Sequence, residues 1–349
     1  MAVAELWQEM KDTIAFRASQ SGSRSSSEGN RGSALVIVLL AVLLITSLVG
    51  WYVSREPDLL WVNWEIDGKP APAGYATADT AIKIAETLLN KPGGFISNDK
   101  MPPFIILDNM PNWEYGALIQ LRDAVKALRN DYSRSQSQSV ENINLSRAEP
   151  AFNSDHMWWI LPSCESKYQD GINFLKGYRD ALIDPESADA QFYARADNLR
   201  EWLSIIEKRL GSLSQRLSAS VGQSRVNTDL AGDSSAENST ERPADIEVKT
   251  PWLEIDDVMY EARGSAWVLI HLLRAAEKDF NQVLGDKNAS VSLRQIIREL
   301  ESAVQPLNSP VVLNGSGFGM FANHSLVTAS YISRANSAVI NLRELLDQG

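Results

Sequence analysis

The chain has 349 residues, 44% of them apolar, which is enough for a sizeable core in one large domain or two ordinary ones and excludes wholesale disorder. Its formal net charge is −11, and because residues 1–53 carry four bases and four acids, the whole excess lies beyond them. A domain this acidic, without a stripe of Lys and Arg, is unsuited to neutralising phosphates, so nucleic acid is excluded as a partner. The single cysteine, Cys164, permits neither an intrachain disulfide nor a thiolate zinc site, and reads as a small buried residue.

Residues 1–33 read as a short tail and linker. Val3, Leu6, Trp7, Met10 and Ile14 share one helical face, compatible with an interfacial helix or a partly ordered tail, and residues 20–33 are rich in Ser, Gly and Arg. Residues 34–53, ALVIVLLAVLLITSLVGWYV, contain no charge. At about 1.5 Å per residue they reach about 30 Å, the thickness of a bilayer core, and Trp51 and Tyr52 close the run where interfacial aromatics belong. A buried soluble helix would be shorter and less uniform. A cleaved signal peptide would have a shorter apolar stretch followed by a small-residue cleavage site. A retained anchor is therefore expected. Arg24 and Arg31 precede it closely and only Arg55 follows, which places the N-terminus in the cytosol and the rest of the chain outside.

Beyond the anchor, Leu60, Val62, Trp64 and Ile66 alternate, predicting one short strand that ends at Asp67-Gly68, with Pro70 and Pro72 arguing against a hairpin partner. A helix is expected over residues 77–90, stopped by Pro92-Gly93-Gly94. Residues 91–112 form a proline-bearing loop that is long for a compact domain, hence either functional or braced. Helices are then expected over about 111–130 and over 163–183, separated by the polar stretch 133–139.

The clearest periodicity follows. Ala196, Leu199, Leu203, Ile206, Leu210, Leu213 and Leu217 recur at alternating spacings of three and four, and so do residues from Ile255 through Met259, Ala262, Ala266, Leu269, Leu273, Ala276 and Phe280 to Val283. These heptad seams specify interlocking packing between long helices. Residues 222–250 between them are polar and read as a disordered connection. An antiparallel coiled-coil-like hairpin with that loop at its tip is favoured over a parallel dimer, because closing a loop costs less than bimolecular association. Ser292 with Gln295 reads as a capping box opening a helix to about residue 305, and Ser325 opens a final helix.

Chemistry is sparse. His156, His271 and His324 are not at ligand spacing, and H-E-x-x-H and G-x-S-x-G are absent, so no metal, cofactor or serine nucleophile is expected. Gly315, Gly317 and Gly319 lack the strand–turn–helix context of a phosphate cradle, which argues against a nucleotide. What remains is residues 97–114, SNDKMPPFIILDNMPNWE, with Asn98, Asp99, Asp108, Asn109, Asn112, Trp113 and Glu114 as candidate binding residues and no catalytic residue assigned. Carboxylates beside an aromatic are how sugar-cleaving sites are built. The same residue types also fix turns and cap helices, so bracing stands beside binding.

The strings LLNKPGGFISNDKMPPFIILDNMPNWEYG (88–116) and LRNDYSRSQSQS (128–139) resemble an uncharacterised family of membrane-anchored bacterial proteins, labelled only as a domain of unknown function. The similarity extends over nearly all of the chain after the anchor. It implies a Gram-negative origin and an inner-membrane protein facing the periplasm, and it implies no activity.

The expectation is thus an all-α or nearly all-α protein in three parts: a cytosolic tail (1–33), a transmembrane helix (34–53) and a periplasmic helical domain (54–349). The expected role is an interaction or scaffold protein of the cell envelope, with the lipid bilayer and a protein as partners. The alternative is a polymer-binding module or hydrolase that uses the 97–114 loop.

Overall fold

The computed structural model describes residues 33–135, 140–186, 190–226, 245–309 and 311–348. Helix α1 (Ser33–Val53) is the one helix among them long and apolar enough to cross a membrane, and almost all of it is exposed. The α-helices that follow are α2 (Tyr75–Asn90), α3 (Asn109–Ala127), α4 (Ile143–Phe152), α5 (Cys164–Ile183), α6 (Ala196–Ser218), α7 (Ile255–Asp279), α8 (Asn281–Asp286), α9 (Ser290–Ala303) and α10 (His324–Asp347). The protein is mostly helical, as its periodicity requires.

The centre of the bundle is the pair α3 and α7. They run in the same direction, with Asn112 beside Asp257 and Gly116 beside Glu261. Two glycines let their backbones touch. A Cβ on Gly116 would collide with the carbonyl of Glu261, and one on Gly264 with the carbonyl of Trp113. Ser265 Oγ donates to the Gly116 carbonyl across the contact at 3.1 Å. Trp113 is fully buried there, its ring 5.3 Å from that of Trp267. The face of α7 that carries Glu261, Gly264 and Ser265 therefore packs on α3, while the α6 seam of Leu203, Ile206, Leu210 and Leu217 packs mainly on α10. Helices α6 and α7 do lie antiparallel, tied by a two-pronged Arg216–Glu261 bridge at 2.5 and 2.8 Å, so the hairpin is compatible with the fold but is not its largest interface. The small residues of α7 admit a neighbour's backbone more closely than a leucine-lined face does.

Several local expectations change. The proline at position 70 does not prevent a hairpin: β1 (Glu65–Ile66) pairs antiparallel with β2 (Lys69–Pro70) around Asp67 and Gly68, both at positive φ. Pro70 faces Glu65 while Ala71 supplies the next hydrogen bond, to the carbonyl of Trp64 at 3.0 Å, so the missing N–H is not needed. The ends of the 222–250 connection form a ribbon, β3 (Gln223–Val226) against β4 (Asp245–Val248), and residues 227–244, where disorder was expected, lie outside the described residues. Helix α4 was not anticipated, being short and interrupted by Pro150. Helix α9 begins at Ser290, which places Ser292 inside the first turn and leaves the expected capping box unused.

One end of the bundle gathers around the exit of α1. Gly93 packs on Val53 and Leu107 on Gly50. Asn98 reaches Glu165 at the start of α5, and Asn112 reaches Asp257 in the first turn of α7. The backbone of Thr250 meets Ala219 just after α6, and Asn314 reaches Ser220. This is the α1 end. The opposite end holds Asp279, at the close of α7, which accepts from Thr77 N (2.8 Å) and Oγ (2.6 Å) and so supplies the cap that α2 lacks locally.

The glycine contact gives a direct test. Gly264→Ala should lower stability by about 1–3 kcal/mol or more, since a methyl must push two packed backbones apart. Gly285→Ala, where nothing lies within 4 Å of the added Cβ, should be close to neutral in the same urea titration.

Candidate functional site

The 91–108 loop is shaped by its own glycines and by one buried pair of charges. Gly93 (φ 87°) and Gly94 (φ 72°) turn the chain back after α2, and Lys91 then points inward. Its Nζ lies 2.6 Å from Glu114 Oε1 and donates to the Gly94 carbonyl at 2.7 Å, with the two side chains 1% and 0% exposed. Glu114 also accepts from Ile96 N (2.9 Å), Ser97 N (2.8 Å) and Ser97 Oγ (2.5 Å). Burial pushes the Glu114 carboxyl up, opposed by the Lys91 ammonium and by these hydrogen bonds. Both carboxylate oxygens are occupied by protein donors, which makes Glu114 the clasp of the loop.

The other sequence candidates fall into two groups. Asn98 and Asp99, which follow Ser97, lie beside Glu165 at the start of α5. The Asn98 amide, buried, donates to the Trp158 carbonyl at 3.2 Å and to Glu165 Oε1 at 3.0 Å. Asp99 is half-buried, and burial followed by the nearby Glu165 charge raises its carboxyl. Glu165 is pulled below the usual range, because hydrogen bonds from Ser163, Asn98 and Cys164 outweigh its burial. Beside it the Cys164 thiol, free and buried, is pushed up to about 12 by burial and by Glu165, an environment that keeps it protonated and unreactive.

Asp108, Asn109 and Asn112 sit at the start of α3, facing α7. Asp108 is exposed and caps the helix by accepting from Asn109 N at 2.9 Å. Asn112 donates to Asp257 Oδ1 at 2.7 Å. Asp108, Asp256 and Asp257 thus share one corner. Burial, then Asp108, Asp256 and Glu254, push the Asp257 carboxyl up to about 6, with Asn112 holding it back. Sequence reasoning missed Asp256 and Asp257, because acids in the first turn of a helix read as complements to its dipole. Trp113 belongs to neither group, being wholly inside the α3–α7 core.

A third feature was not anticipated. A cleft of about 670 Å³ lies between residues 54–59, α7 and residues 301–307, apart from the 97–114 loop. Its buried Arg263 holds Glu56 with two bonds (2.6 and 2.7 Å) and donates to the carbonyls of Ala303, Val304 and Gln305 at the end of α9. All five guanidinium N–H groups are used. Arg274 in the same wall pairs with Glu301 at 2.6 Å. Above it His271, fully buried, accepts from Leu60 N at 2.8 Å, and burial pushes its imidazole down to about 4, so it stays neutral and pins the segment leaving α1. Among the described residues, no group of three or more His, Cys, Asp or Glu is placed to hold a metal ion.

Residues 26–349 match the model of a family described as an uncharacterised protein conserved in bacteria, DUF2333. The chain belongs to the DUF2333 family. The match takes in α1, the clasped loop and the bundle through α10, so the α1 end as a whole lies within the DUF2333 region. No curated protein and no solved structure is detectably similar to this DUF2333 chain.

The acidic corner has a pH signature. A carboxyl raised from 3.8 to about 6 in the folded state weakens folding above pH 6 and not below 3.8. Asp257→Asn keeps an acceptor for Asn112 and removes the charge. It should stabilise the DUF2333 domain at pH 7.5 by on the order of 1 kcal/mol, reduced by solvent screening, with the gain shrinking through pH 6 and gone near pH 4. Urea midpoints across that range measure it, and a loss at pH 7.5 would mean the ionised form has a stabilising partner.

Proposed function

We propose that this protein is an interaction scaffold of the bacterial cell envelope, held in the inner membrane by α1, with its N-terminus in the cytosol and its helical domain in the periplasm. The observation that carries the reading is the engagement of Glu114. The one wholly buried carboxylate among the loop candidates is bound to Lys91, Ile96 and Ser97, and it presents no oxygen to a substrate. Asp108 is engaged as a helix cap. The loop works as structure, and the surfaces around it remain for partners. Arg24 and Arg31 ahead of α1 support the orientation, and the acid excess of the domain suits a partner with a basic face.

A second reading has one observation in its favour. Asp257 lies beside Asp108, and its carboxyl, raised to about 6, is suited to general acid–base work in a hydrolase or polymer-binding module. Complementation of a deletion strain separates the two. The Asp108→Asn, Asp257→Asn double variant should restore function in proportion to its membrane level. A variant that is abundant, folded and inactive would favour the hydrolase. Protease added to spheroplasts should digest the helical domain before lysis, and protection until lysis would reverse the orientation.

A further inference from the structure

The α1 end of the bundle exposes far more large apolar side chains than its other end, and they lie at the level where the chain leaves α1. Leu107 packs on Gly50, three residues before α1 ends, so the loop that carries Ile105 (58% exposed) and Ile106 (75%) reaches alongside the last turn of the helix. The bond from Asn98 to the Trp158 carbonyl brings a second loop to this end, with Trp159 (61%) and Leu161 (89%) outward. Trp252 (79%) stands just before α7, whose first turn is joined to α3 through Asp257 and Asn112. Asn314, bonded to the Ser220 carbonyl, holds a fourth loop there, from which Phe318 is wholly exposed. Among the described residues, the opposite end exposes Val140, Ile143, Ile183 and Val291, and Trp61 is exposed part-way along the bundle, where its carbonyl accepts from Lys83.

The domain is also not on a flexible tether. Three residues beyond Val53, Glu56 is clamped by buried Arg263; Asp58 O accepts from Trp267 Nε1 at 3.2 Å, and Leu60 N donates to His271. The chain is therefore fixed to α7 as soon as it leaves α1, and α7 carries it away from the α1 end.

We infer that this apolar face is seated in the leaflet where α1 leaves the bilayer, its four loops dipping into the interfacial layer so that the domain lies on the membrane rather than standing off it. Tryptophans at this depth gain from an environment apolar on one side and wet on the other. Large apolar side chains exposed together at one end of a domain mark an interaction site. Its continuity with α1 makes lipid the occupant. The same end carries Asp99, Asp108, Asp256 and Asp257, which anionic lipid repels, so the seating is apolar and should resist salt.

The inference rests on α1 being a membrane anchor, and the experiment separates the two. The full chain is placed in vesicles of phosphatidylethanolamine and phosphatidylglycerol. An environment-sensitive fluorophore is attached at Ile105→Cys, Phe318→Cys or, at the opposite end, Asp286→Cys, with the native Cys164 buried and silent. Flotation and resistance to alkaline extraction test the anchor. Spin-labelled lipid and aqueous iodide then test the seating. The expected result is that lipid quenches the probes at 105 and 318 several-fold more than the probe at 286, that iodide does the reverse, and that molar salt changes neither. Floating protein whose 105 and 318 probes are as open to iodide as the one at 286 overturns the inference and leaves the anchor standing. Shielding from iodide without quenching by lipid also overturns it, since a second protein copy would then be the cover. Failure to float overturns the anchor and the seating together.

Discussion

A lysine and a glutamate meet at 2.6 Å where neither touches water, and the geometry of the α1 end follows from keeping that pair together. Removing an ion from water costs several kcal/mol, and the loss is offset only when the partner and the remaining lone pairs are all provided for. Lys91 comes from the end of α2 and Glu114 from the second turn of α3, so their pairing folds the loop between them back on itself. Ile96 and Ser97 complete the shell with backbone donors. The fold-back places Gly93 on Val53 and Leu107 on Gly50, so the loop leading into α3 lies against the exit of α1. Because α3 is locked to α7 through Gly116 and Gly264, the clasp orients the core of the bundle as well as the loop.

Arg263 and Glu56 repeat the device on the other side of α1. There the cation is shared between a carboxylate and the last carbonyls of α9, where a helix end favours positive charge. Two buried charge sites thus grip the chain just after α1 and the loop beside it. Asp108, Asp256 and Asp257 collect at one corner, where burial and mutual repulsion raise the carboxyls of Asp256 and Asp257. Structure and proposed role are consistent: the buried charges hold shape, and the open surface is left for contact.

What was legible in the sequence is what is local. The charge-free run of α1, the seam of α6 from Leu199 to Leu217 and the stop at Pro92-Gly93-Gly94 depend on neighbours within a few residues, and each appears where periodicity and turn chemistry put it. The misses depend on distant partners. Nothing near Thr77 announces that Asp279 will cap α2, and nothing near Glu114 announces Lys91 as its counter-ion across a 22-residue loop. Glu114 therefore reads equally as acid catalyst or brace until the loop is closed. The missing N–H of Pro70 argues against a hairpin only until the register is known, because that register leaves the position unused. The α7 seam was matched to α6 because both are heptads, whereas Gly264, lying off the apolar seam, selects α3.

The central claim is that Lys91 and Glu114 act as a structural clasp, and a double-mutant cycle tests it most directly. Urea unfolding would be measured for Lys91→Met, Glu114→Leu and the two combined. Each single change should lower stability by roughly 3–5 kcal/mol, because it leaves the other charge buried and alone. The double variant should recover most of that loss, since an apolar pair of similar volume requires no compensation. Singles that unfold like the parent, or a double variant that simply adds their losses, would contradict the account and return Glu114 to the list of groups held for chemistry.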